Sequence, residues 1–192
     1  MKPMMLAALM AMAGGAAHAE AVKYELDASH SQVLFSYSHF GFSTTFGMFS
    51  GFEGDIFFDE AAPENSSVSV SMPVTLMFTG WEERDEVFLG EDFFDASNND
   101  VVTFRSTAIE LTGDQTAKIT GDLELNGVTK SVVLDTRLNL VGQNPVTQKA
   151  WLGFDATTTV LRSEFGLGAF APLISDEVEL RISVEAGIAD GA

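Results

Sequence analysis

The sequence predicts an all-β domain, a two-sheet sandwich or a closed barrel, with one short helix laid over it. Three observations carry this. Apolar and polar residues alternate at period two in run after run, and turn-forming residues separate the runs at short intervals. The chain also holds sixteen Phe and no Cys, so its core rests on aromatic burial without disulfides.

The N-terminus reads as an export leader. Lys2 gives the positive start, Met4 to Ala13 a short apolar run, and Ala17 and Ala19 the small residues of a cleavage site before Glu20. The run is broken by Gly14-Gly15 and is shorter than the roughly 20 residues that a membrane span needs. The expected division is a signal peptide over 1–19 and one domain over 20–192, cleaved after Ala19. No later stretch is apolar enough to span a bilayer as a helix, so the mature chain is expected not to be membrane-spanning.

Candidate strands follow at 22–27, 32–40 and 53–59. In the second, Val33, Phe35, Tyr37 and His39 share one face while Leu34, Ser36 and Ser38 share the other. Val68, Val70, Met72, Val74, Leu76 and Phe78 then alternate with small polar residues, which predicts one strand with all six on its apolar face. Thr79-Gly80-Trp81-Glu82 has the form of a capping box with Thr79 as N-cap, and Gly90 is a stop, so a helix is expected over 80–89. Arg84 lies between Trp81 and Phe88 on it and is expected to be buried and paired.

Strands resume at 101–112, and Ile119, Leu123 and Leu125 alternate with Thr120, Asp122 and Glu124. Asn126-Gly127 is a two-residue hairpin loop, since both residues tolerate positive φ. Val132, Leu134, Leu138 and Leu140 form the next apolar face, 151–161 is a further strand, and Val178, Leu180, Ile182 and Val184 form the last face. Eight or nine strands are expected in all.

Charge excludes some partners. The net charge of −18 becomes −19 once Lys2 leaves with the leader, and such a surface repels phosphate backbones, so no nucleic acid is expected. Chemistry is sparse as well. The mature chain would keep only His30 and His39, with no nucleophile elbow, phosphate-cradling loop or zinc-binding helix motif. No catalytic residue, metal or cofactor is therefore assigned. The aromatic clusters, Phe35 to Phe58 and Phe88 to Phe94, fit a packed sandwich core or an apolar barrel cavity equally well.

The order of motifs resembles the YceI-like family, lipocalin-like periplasmic proteins that bind polyisoprenoids. The matching blocks are His30-Ser31-Gln32-Val33-Leu34-Phe35, His39-Phe40-Gly41, Gly47-Met48-Phe49, Phe52-Glu53-Gly54 and Phe58-Asp59. They continue with Glu83-Arg84-Asp85, Asp92-Phe93-Phe94-Asp95, Thr103-Phe104, Gly121-Asp122-Leu123, Asn126 to Lys130, and Arg162 with Phe165-Gly166. Asn98-Asn99-Asp100 departs from the family's aromatic-Pro pair, and Glu164 replaces the commoner Asp. The resemblance implies a lipocalin-like extended eight-stranded antiparallel β-barrel. Its cavity would take a long-chain isoprenoid lipid, a quinone or polyprenyl phosphate, in the periplasm.

With that fold, the candidate ligand-binding residues are Val33, Phe35, Tyr37, His39, Phe46, Phe49, Arg84, Phe93 and Phe104. Two other readings stand beside a lipid binder or carrier: an enzyme acting on an isoprenoid or its headgroup, and a ligand-free envelope stress protein. A homodimer is left open.

Overall fold

A computed structural model describes residues 21–189, and the leader expected over 1–19 lies outside them. The strands are β1 (Val22–Leu26), β2 (Gln32–His39), β3 (Ser43–Phe49), β4 (Glu53–Phe58), β5 (Ser67–Pro73) and β6 (Met77–Phe78), followed by five longer ones. These are β7 (Val101–Gly113), β8 (Thr116–Leu125), β9 (Val128–Gln143), β10 (Ala150–Leu161) and β11 (Glu177–Ile188). Eight of them close an antiparallel ring in the order β1-β4-β5-β7-β8-β9-β10-β11, with β11 returning to β1. The sandwich is thereby excluded, and the eight-stranded barrel is the fold.

Length explains how the remaining strands attach. β11 has twelve residues, enough to pair Ala186–Ile188 with β1 and Glu179–Ser183 with β2. A 3-10 turn at Ala28–His30 separates β1 from β2, capped by the Asp27 carboxylate, which accepts from the Ser29 N–H. β2 pairs with β3, and β3 pairs with β6 only at Met48 and Phe49. Among the described residues no ladder joins β6 to β7. The chain between them carries the helix α1 (Glu82–Leu89), whose Phe88 and Leu89 pack with Phe94 against Val33, Phe35, Tyr37 and Phe49. One end of the barrel is thus closed by hydrogen bonds and the other partly by side chains.

Two clusters complete the core. Leu152 and Ala186 are fully buried against Tyr24, Ile56 and Phe58 at the closed end. Phe165 and Leu167 pack with Val160 at the other. The Asn126-Gly127 turn forms as expected, with φ of +51° and +70°, and the Asn126 amide donates to the Phe165 carbonyl at 3.1 Å.

Four expectations need correction. β3 is an additional strand that the sequence does not signal, because Ser43-Thr44-Thr45 offers no apolar alternation. The strand expected over 68–78 is broken by a 3-10 turn at Val74–Leu76, which shifts the phase, so Met77 is buried while Leu76 and Phe78 face out. A bulge opposite Gly153 and Phe154 adds Asn139 to β9 and turns Leu140 outward. Thr79 does not cap the helix; Trp81 holds that position, and Asp85 reaches back to accept from the Thr79 N–H at 2.9 Å and its hydroxyl at 2.5 Å.

Candidate functional site

Inward residues of the barrel do not meet at its axis. They leave a cavity of about 330 Å³ with an almost wholly apolar lining, which runs from the β7–β8 turn at Asp114 to Phe88 and Arg162 at the opposite end. Every ring strand from β5 through β11 contributes inward side chains, as with Ile119, Leu123 and Leu125 on β8, and Val178, Leu180 and Ile182 on β11. A ten-residue strand such as β8 spans about 33 Å, so the cavity is long rather than round.

The structure brings six of the nine candidate residues together on this lining. Val33, Phe35 and Tyr37 come from β2, Phe49 from β3, Phe93 from the segment after α1, and Phe104 from β7. Rings connect the cavity to the surface. Tyr37 lies 6.0 Å from Phe88, Phe88 lies 5.1 Å from Phe93, and Phe93 lies 6.4 Å from the exposed Phe170.

Phe46, His39 and Arg84 do not border the cavity. Phe46 sits opposite Ser36 on the outer face and is 61% exposed. Its sequence separation from Phe49 is odd, so the two must face opposite ways on one strand. His39 has the inward parity but comes after the cavity ends; it bridges Ile174, and its ring stands edge-on to Phe40 at 4.4 Å. Arg84 is half-buried and serves its own turn. Its Nε donates to the Thr79 hydroxyl at 2.9 Å, its Nη2 to the Thr79 carbonyl at 2.6 Å, and it lies 5.8 Å from the Trp81 ring.

Arg162 is the polar residue missing from the candidate set. It is 8% exposed and borders the cavity. Its guanidinium donates to four main-chain carbonyls: Nε to Ser175 at 2.8 Å, Nη1 to Leu167 and to Ala169 at 2.7 Å, and Nη2 to Ile174 at 2.8 Å. Burial pushes its pKa down, partly opposed by Asp176 and Tyr37. A sequence signal existed, since Arg162 continues the inward parity of Ala156, Thr158 and Val160 on β10.

A separate group lies at the β1–β2 kink, where ligand atoms of Asp27, His30 and Glu185 fall within 4.8 Å of one another. These groups already satisfy each other or their neighbours. His30 Nδ1 lies 2.7 Å from Asp27 Oδ2, and Glu185 accepts from the Trp151 indole at 2.7 Å. The hydrogen bond to Asp27 raises the His30 pKa. Burial pushes Asp27 up, but the hydrogen bonds from Ser29 and His30 outweigh it and hold the carboxyl below its ordinary value.

No helix among the described residues is long and apolar enough to cross a membrane. Comparison with known proteins agrees with the architecture. The profile of the YceI-like domain matches residues 24–186. A UPF0312 protein of Ectopseudomonas mendocina is 38% identical over 187 residues, covering 94% of this chain and 95% of the relative. The Campylobacter jejuni YCEI crystal structure is 28% identical with a TM-score of 0.72, over 80% of this chain and 90% of that one. A structure described as a polyisoprenoid binding domain from Saccharophagus degradans shares the fold at 14% identity, with a TM-score of 0.69, over 88% of this chain and 99% of that one. Closed ring, apolar lumen and matched blocks converge, and the chain belongs to the YceI-like family.

Proposed function

We propose that this protein binds or carries a long-chain isoprenoid lipid in the periplasm, with the tail in the barrel cavity and no chemical step performed on it. One observation carries the reading: an apolar cavity of about 330 Å³ extends from one end of the barrel to the other. A void of that volume left empty costs on the order of 8 kcal/mol, comparable to the whole stability of a small domain. A tail that fills it reverses the cost. Ten buried methylenes contribute about 8 kcal/mol, the scale of a micromolar complex, with no polar contact at all. The leader pattern of 1–19 supports the compartment, and the name of the Saccharophagus relative supports the ligand class.

The test is native purification of the exported protein followed by lipid extraction and mass spectrometry. Near-stoichiometric isoprenoid lipid is expected. A cavity carrying no lipid, or only the bulk phospholipid mixture, would overturn the reading.

A further inference from the structure

Two loops are joined at one end of the barrel, the β2–β3 turn Phe40-Gly41-Phe42 and the segment 170–173 ahead of β11. Main-chain bonds staple them. The Phe40 N–H donates to the Leu173 carbonyl at 2.9 Å, the Ser175 N–H donates to the Ser38 carbonyl at 3.0 Å, and His39 bridges Ile174. Within each loop, the Phe42 N–H donates to the His39 carbonyl at 3.0 Å and the Ile174 N–H to the Phe170 carbonyl at 3.1 Å. The side chains go against what the backbone favours. Phe40 and Phe170 have φ of +54° and +63°, a region that bulky residues avoid and that Asn126 fills at +51° in the β8–β9 turn. Both rings are exposed there together with Leu173, and Phe42 beside them is 91% exposed. A strained backbone kept at an exposed tip, where it adds nothing to the core, points to a use.

Charge is missing from the same place. Of the 28 acidic residues and 10 Lys or Arg, none falls in 31–52 or 165–175, the stretches that build the tip. Acidic residues flank it instead: Glu164 and Asp176 bound the second stretch, and the exposed Glu91 and Asp92 directly precede Phe93, whose ring lies 6.4 Å from Phe170. Covering Phe40, Phe42, Phe170 and Leu173 would bury about 500 Å², short of the roughly 800 Å² per partner that a stable protein interface needs. The exposed Phe46 and Phe78 do not enlarge the tip, because they face sideways from the wall around the Met48–Phe78 rung. A small, uncharged, projecting apolar cap whose main chain is already hydrogen-bonded suits a bilayer interface.

We propose that this tip docks the protein on a lipid bilayer with neutral headgroups, with Phe42, Phe170 and Leu173 entering the headgroup boundary. Charge selects the surface. A chain of net charge −18 is repelled by an anionic bilayer, while the uncharged tip can approach a zwitterionic one closely. The proposal goes beyond the lipid-binding reading and does not require a filled cavity.

The test is flotation of the exported protein with phosphatidylcholine vesicles and with vesicles of equal parts phosphatidylcholine and phosphatidylglycerol. Wild type should bind the neutral vesicles better than the anionic ones, and high salt should narrow the difference. Phe42→Ser should weaken binding at least about tenfold. Its melting temperature should match wild type, since the side chain is almost wholly in solvent. Val146→Ser should bind as wild type does, because Val146 is 87% exposed but sits in the β9–β10 turn at the other end of β10. Absence of vesicle binding by wild type, stronger binding to the anionic vesicles, or equal binding by Phe42→Ser would overturn the proposal. So would a dimer in sedimentation velocity that Phe42→Ser dissociates, which would make the tip a contact between copies. Tip-dependent binding by protein that purifies with an empty cavity would support docking while removing the lipid-binding reading.

Discussion

The tip of the Phe35 ring covers Gly47, its partner across the β2–β3 ladder, so closely that a Cβ at Gly47 would stand 2.1 Å from the ring's Cζ. Phe104 covers Gly121 on β8 in the same way, at 2.3 Å. An inward Phe normally fills a lumen of this width. Here two of them are laid against the wall, and the absence of a side chain on the neighbouring strand is what allows it. Gly47→Ala should lift the Phe35 ring into the cavity, lower bound lipid per mole, and cost about 1–3 kcal/mol of stability. Lipid content measured beside a melting curve checks this; wild-type values of both would show that the ring does not define the space.

Side-chain parity makes a sharper test on β2. Phe35 is 6% exposed and faces the cavity, while Leu34 is 40% exposed and faces out beside Met48. Phe35→Asp places an unpaired carboxylate where the tail would lie and should abolish lipid retention. Leu34→Asp should keep it, and so should His39→Ala, since His39 lies past the end of the lining. Equal loss in Leu34→Asp and Phe35→Asp, measured as co-purified lipid per mole of folded protein, would refute the assignment.

Arg84 is a smaller matter than its place between two aromatic residues predicts. It donates to one hydroxyl and one carbonyl of Thr79 and pairs with no carboxylate among the described residues. Arg84→Ala should therefore cost about 1–2 kcal/mol by denaturant titration. A loss above about 3 kcal/mol would point to a buried ion pair.

The β1–β2 kink should respond to pH from both sides. His30 is raised by its bond to Asp27, so its contribution is complete below the ordinary histidine value of 6.5 and fades as pH climbs through the raised one. Asp27 is lowered, so its contribution is present above 3.8 and fades as pH falls through the depressed value. The pair holds the kink best between those limits. An NMR titration of His30 should give a midpoint above 6.5 in wild type and a lower one in Asp27→Asn. The same midpoint in both would refute the coupling.

Period-two alternation made the long strands legible, because β8 and β11 each bury one face against an apolar lumen along their length. Alternation failed wherever local geometry changed the phase. The 3-10 turn at Val74–Leu76 exchanged Phe78 for Met77, and the bulge at Asn139 turned Leu140 out. The bulge has no local signature, since it is set by pairing with Gly153 and Phe154 on the next strand, whereas Pro73 directly before Val74 is a local signal that the strand ends there. Within the site, the inward residues of β2 were readable from parity. Phe46 belongs to the aromatic cluster by composition but has the outward parity, and Arg162, which the sequence places in a loop just past the strand at 151–161, keeps the inward parity of that strand.

The unpaired seam between β6 and β7 carries a kinetic consequence. Where a wall is stitched by main-chain hydrogen bonds, a guest can pass only if several ladder rungs break together. Where it is stopped by Phe88, Leu89 and Phe94, rotamer changes and a small displacement of α1 suffice. On the proposed function, a tail would enter sideways at this seam, so a chain longer than the barrel would not have to thread end first, and its exchange would be uncoupled from breaking the ladder of the ring.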